Sequence, residues 1–139
     1  MKKLLLATSL LASSLFAADG AVDGYDVYKK NCKVCHVEMM TAEYALAHIN
    51  ELSAPPMVEV SGRLKENIKT TDEEEDVDRY LFILFVKDYI VHPNLDNSMC
   101  NSGAIEKFGV MPSLKGKLKE DEKQAVAEWL YDRYENAKF

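Results

Sequence analysis

Residues 32–36 read Cys-Lys-Val-Cys-His. Two thiols with a two-residue spacer, and a histidine directly after the second, form the pattern that covalent haem attachment requires. The thiols add to the two haem vinyl groups as thioethers, and the spacer sets them at the vinyl separation. The adjacent imidazole then falls beneath the iron, for which it is a good axial ligand. Two other chemistries use a Cys-x-x-Cys pair. A dithiol–disulfide redox motif sits at a helix start after a strand, and no strand-like segment precedes Cys32. A zinc site needs a second ligand pair, and outside the motif only Cys100, His48 and His92 remain. The motif therefore predicts one haem c bound through Cys32 and Cys35, with His36 on the iron. In a chain of 139 residues such a group becomes the centre of the core, which constrains the fold more than any other feature.

The start of the chain reads as an address. Met1, Lys2 and Lys3 give a positive start, Leu4 to Phe16 is an uncharged, mostly apolar run of 13 residues, and Ala17, Ala18 and Asp19 follow. This is the layout of a secretory signal peptide, and the run falls short of the roughly 20 residues that span a bilayer. Residues 1–17 are expected to be removed by cleavage after Ala17, with Ala18 as the alternative site and an uncleaved anchor as the competing reading. Residues 18–139 then form a single exported domain in the periplasm. No other stretch could span a membrane. The most apolar, Leu81 to Val86, is six residues long and is flanked by charges.

The full chain has 17 Lys and Arg against 23 Asp and Glu, a net charge of −6; losing residues 1–17 takes away Lys2 and Lys3 and leaves −8. That balance argues against nucleic acid, because binding phosphates needs a surplus of cations.

Apolar residues recur at helical spacing, and no alternating β-branched run looks like a strand. Candidate helices cover Asp19 to Asn31, Thr41 to Leu52, about Val58 to Lys69, Gly103 to Phe108, and Glu120 to about Asn136. Another starts near Thr71, where Thr71 and Glu74 have capping-box spacing and the acidic run from Asp72 to Asp76 suits the helix dipole. Its apolar stripe reads Val77, Tyr80, Leu81, Leu84 and Phe85, and Pro93 ends it. Pro55-Pro56 breaks the chain, since neither residue has an N–H to donate. The expected fold class is all-α: one domain of about four to six helices wrapped around the haem.

Around the motif the chain resembles the class I cytochromes c, and the resemblance covers most of residues 18–139. In that family a glycine and an aromatic residue lie eight and four positions before the first haem cysteine; Gly24 and Tyr28 stand there. The family's last helix crosses the first at that glycine with an aromatic–aliphatic pair, which here looks like Trp129-Leu130. A glycine allows the two helices to approach closely. Met111, in Phe108-Gly-Val-Met-Pro-Ser-Leu114, resembles the Met-Pro loop that carries the sixth iron ligand, 75 residues after His36. A neutral thioether favours Fe(II) and raises the potential. Met57, Met99, His92 and His48 are the competing ligands. Ala54-Pro-Pro-Met57 resembles the segment whose proline carbonyl accepts the Nδ1–H of the axial histidine, a part that falls to Pro55 or Pro56. Arg63 is a candidate partner for a haem propionate, or an exposed surface arginine. Cys100 reads as buried and inert, with a link between two chains as the alternative.

The resemblance implies an electron-transfer protein rather than an enzyme, cycling Fe(II)/Fe(III) between a donor and an acceptor. The acidic charge implies that at least one of these redox protein partners shows a basic face. A dedicated haem subunit of a larger periplasmic oxidoreductase is the alternative, and apolar surface left uncovered around Leu81 to Ile90 would favour it. A ligand-binding haem with an open sixth position is a third reading.

Overall fold

The structure is a computed structural model that describes residues 20–71, 75–135, 137 and 139. The leader at residues 1–17, its cleavage site, Asp19 and the Glu74 half of the capping box lie outside the described residues. Among the described residues there are six helices and no strand: α1 (Gly24–Asn31), α2 (Ala42–Ala47), α3 (Met57–Asn67), α4 (Glu75–Tyr89), α5 (Ser102–Phe108) and α6 (Glu120–Arg133). The fold is all-α, and none of these helices is long and apolar enough to cross a membrane.

The helix starts follow local chemistry. The side chains of Asp23, Thr41 and Asn101 accept from the N–H of Tyr25, Tyr44 and Ala104, which caps α1, α2 and α5. α1 therefore begins at Gly24 rather than Asp19. α3 starts directly after the proline pair, with Pro56 as its cap residue. α6 starts at Glu120, where the Glu122 carboxylate accepts from the Lys119 N–H at 2.8 Å. α2 is shorter than its periodicity predicts. It closes at His48, and residues 48–51 form turns.

The first and last helices cross at Gly24. A Cβ added there would overlap the Ala125 carbonyl oxygen and lie 2.5 Å from Trp129 Cβ, so only glycine permits the approach. Trp129 packs at the crossing as expected. Leu130 is buried in the core cluster that also holds Val27 and Tyr28 of α1. Tyr28 is fully buried and stacks on Trp129 with ring centroids 4.6 Å apart. α4 and α3 pack against α6 and against each other. Phe82, Ile83 and Val86 of α4 are buried, with Phe82 edge-on to Tyr131 at 5.1 Å.

That arrangement corrects the stripe expected for α4. Val77, Tyr80, Leu81 and Leu84 are exposed, and the core face is rotated to Phe82, Ile83 and Val86. Phe85 of the expected stripe does pack against the core, and Arg79 and Lys87 on the same helix turn to acids of α6. Arg79 makes a two-pronged bond to Asp132 at 3.0 and 2.9 Å, and Lys87 Nζ lies 2.7 Å from Glu120.

α3 also satisfies the end of α6. Ser61, wholly buried, donates to the Leu130 carbonyl at 2.9 Å, and Lys65 donates to the Tyr131 carbonyl at 2.7 Å. The last carbonyls of a helix lack partners within it, so these two side chains, one turn apart on α3, act as its cap.

Candidate functional site

The Cys-x-x-Cys-His segment closes the C-terminal end of α1. Cys32 caps the helix, and its carbonyl accepts from the N–H of Cys35 at 3.1 Å and of His36 at 2.9 Å. One tight turn thus carries both thiols and the imidazole. Cys32 and Cys35 are half-buried and unpaired, and Val34 between them is 83% exposed. Burial, followed by the neighbouring Cys35, pushes the Cys32 thiol up to about 11, so this thiol stays protonated at neutral pH in the protein alone.

His36 is held at both ends. Its Nδ1 lies 2.7 Å from the Pro55 carbonyl, which can only accept, so Nδ1 carries the proton and Nε2 keeps its lone pair. Its own carbonyl accepts from the Tyr28 hydroxyl at 2.8 Å. Burial lowers the imidazole pKa, and the bond to Pro55 opposes this in part, so the neutral form a metal ligand needs is favoured. Of the two candidate prolines, the carbonyl is that of Pro55. The Pro56 carbonyl is occupied by the Val60 N–H at 3.0 Å in the first turn of α3.

The residues after His36 are clamped by three helices. The Val37 and Glu38 carbonyls accept from the N–H groups of Met57 and Val58 on α3, at 2.8 and 3.2 Å. The Glu38 carbonyl also accepts from the Tyr134 hydroxyl at 2.9 Å. The Glu38 carboxylate takes Arg133 at 3.0 Å and the Tyr25 hydroxyl at 3.2 Å. Glu38 was not singled out from the sequence. Nothing in its neighbourhood shows that residues from both ends of the chain converge on it.

Met111 is half-buried in the segment between α5 and α6. Gly109, at a φ of 68°, turns the chain out of α5. Ser113 Oγ then donates to the Val91 carbonyl at 2.6 Å, and the Leu114 N–H donates to the Ile90 carbonyl at 2.8 Å. These bonds fix the loop to the end of α4, and none of them reaches His36.

The competing ligands have other duties. Met57 is in the core, and Met99 is half-buried against it. His48 Nδ1 lies 3.2 Å from Glu51 with its ring on Tyr44, and His92 Nδ1 lies 3.0 Å from Asp88. Arg63 pairs with Glu66 at 3.8 Å on the surface. Cys100 is exposed, which corrects the expectation of a buried thiol. Its loop is built from polar turns such as the Cys100 N–H to Ser98 Oγ bond, and its neighbour Met99 makes the contact with the core.

Among the described residues no three His, Cys, Asp or Glu side chains converge as a metal-ion site. The donor set at Cys32, Cys35 and His36 instead suits a haem: two unpaired thiols on one turn and an imidazole oriented through Nδ1 with Nε2 left for iron. An apolar cleft of about 310 Å³, lined by Ala45, Leu46, Ile49 and Phe108, is backed by Pro56, next to the proline that tethers His36.

Fold and site together define an all-helical domain with a Cys-x-x-Cys-His turn clamped between its terminal helices. The chain is 41% identical to an uncharacterised protein of Aquifex aeolicus (strain VF5) over 147 aligned residues, covering 99% of this chain and 91% of the relative. It belongs to the same family as that protein. No family model matches the chain, and no solved structure gives a significant match.

Proposed function

We propose that this chain is an exported, periplasmic monohaem c-type cytochrome, similar to class I members, that passes single electrons between redox protein partners and is not itself an enzyme. The observation that carries this reading is the 2.7 Å bond from His36 Nδ1 to the Pro55 carbonyl, on the same turn as two unpaired cysteines. Cys32 and Cys35 would hold the group by thioether bonds, and His36 would bind its iron. When bound, the haem supplies a one-electron Fe(II)/Fe(III) couple. Pro55 and Tyr28 fix the ring and the backbone of His36, which would hold the imidazole in one orientation toward the iron. Met111 is proposed as the sixth ligand, brought to the iron by its Pro112-stiffened loop.

Two measurements test this. Wild-type protein run on a denaturing gel should retain haem stain, and Cys32→Ser/Cys35→Ser should lose it; stain that persists in the double variant sinks the assignment. The oxidised protein should show the weak near-infrared band of a Met–iron bond, and Met111→Ala should abolish it. Rapid CO binding by reduced wild type would instead favour an open sixth position.

A second reading is supported by the exposed stripe Val77, Tyr80, Leu81 and Leu84 on α4. Apolar surface of this kind, left uncovered by the domain's own helices, suits a haem subunit with a permanent partner better than a free shuttle.

A further inference from the structure

Helix α4 has two apolar faces and the domain uses one. Phe82, Ile83 and Val86 are buried on the side toward α6. On the other side Val77, Tyr80, Leu81 and Leu84 follow at i, i+3, i+4 and i+7 and are 36, 61, 40 and 42% exposed. A single exposed apolar side chain is ordinary, but a continuous stripe along two turns is the mark of a contact surface.

The charges of α4 are sorted as sharply as its apolar residues. Both of its cations are engaged within the domain, Arg79 with Asp132 and Lys87 with Glu120 and Gln124. Its exposed charges, Glu75, Asp76 and Asp88, are acidic, with the His92 ring 3.0 Å from Asp88. The stripe therefore has acidic residues at both ends and no lysine or arginine of its own helix to balance them. A second copy would bring the same acids to the contact. A protein with Lys or Arg around an apolar groove would match both features, in the way amphipathic helices are recognised elsewhere.

We propose that the outer face of α4 docks a different protein, one whose contact surface has an apolar centre and a basic rim. The inference gives the permanent-subunit reading the chemistry of its partner. The docking face lies outside the Cys-x-x-Cys-His turn, so the two stand or fall separately.

The test uses the protein as its cells produce it, with the photo-crosslinking amino acid p-benzoylphenylalanine at position 80, irradiated in an envelope extract of those cells. Mass spectrometry should find one foreign chain joined to position 80 through a segment that carries Lys or Arg beside apolar residues. That chain, once purified, should bind wild type, and Leu81→Asp and Leu84→Asp should each weaken binding about tenfold or more. Added salt should weaken it further. Both variants should keep the wild-type haem spectrum and helical signal, which separates lost docking from lost folding or lost haem. A crosslink to a second copy, an internal crosslink to the chain's own first 19 residues, no crosslink, a contact segment without cations, or unchanged affinity of both variants would each overturn the proposal.

Discussion

At the scale of single residues, the position of His36 depends on two groups, the Pro55 carbonyl and the Tyr28 hydroxyl. The one that ionises is the Tyr28 hydroxyl. Burial, then the Glu38 charge, raises its pKa from 10.0 to about 12. A folded-state pKa above the ordinary value means that the fold holds this proton more tightly than the unfolded chain does. The stability so gained is complete below about pH 10 and is lost as pH rises through about 12. Urea midpoints measured across that range should fall with pH. They should fall less steeply in Tyr28→Phe, which also loses about 1 kcal/mol with the bond to the His36 carbonyl. Gly24 is a second sensitive point. Gly24→Ala forces a methyl into the Ala125 carbonyl and should cost about 3 kcal/mol, read as a lower urea midpoint. The sequence made Gly24, Tyr28, Cys32, Cys35 and His36 legible because their spacing is tied to local chemistry. It left Pro55 and Pro56 equal, since both lack an N–H and both offer a carbonyl. What separates them is where α3 begins, because its first turn consumes the Pro56 carbonyl.

At the scale of elements, five of the six helices were readable to within a few residues of at least one end, because caps and prolines mark those ends. The phase of α4 was not. Tyr80 to Val86 is an unbroken apolar run, so the periodicity allows more than one buried face, and packing against α6 and α3 selects Phe82, Ile83 and Val86. The ion pairs of Arg79 with Asp132 and of Lys87 with Glu120 were not legible either, because the partners lie about 30 to 50 positions away. The corrected phase predicts a contrast. Phe82→Ala should cost about 3–5 kcal/mol. Leu84→Ala, on the exposed face, should stay within about 0.5 kcal/mol by the same denaturation measurement. The cap that α3 builds on α6 gives a further prediction. Ser61→Ala leaves the buried Leu130 carbonyl without its donor and should cost about 1–3 kcal/mol, read as a lower urea midpoint.

At the scale of the molecule, α6 packs against both α1 and α4, and residues 36–38 are tied to α1, α3 and the end of α6 by hydrogen bonds. If a haem occupies the site, the chain without it lacks a large part of its apolar interior. Cys32→Ser/Cys35→Ser protein should then melt over a broad range rather than in one sharp step when followed by circular dichroism. A cooperative transition at the wild-type temperature would count against a haem-centred core. The crossing at Gly24 has a consequence in time as well as in space. Its partners Ala125 and Trp129 lie about a hundred residues further along the chain, so the crossing forms only once the last helix is present. Until then α1 has no helix to lean on, and the Cys-x-x-Cys-His turn that follows it stays unclamped by Tyr134 and Arg133. The end of the chain therefore acts as a latch on that turn, because Arg133 and Tyr134, which hold Glu38, are among its last residues.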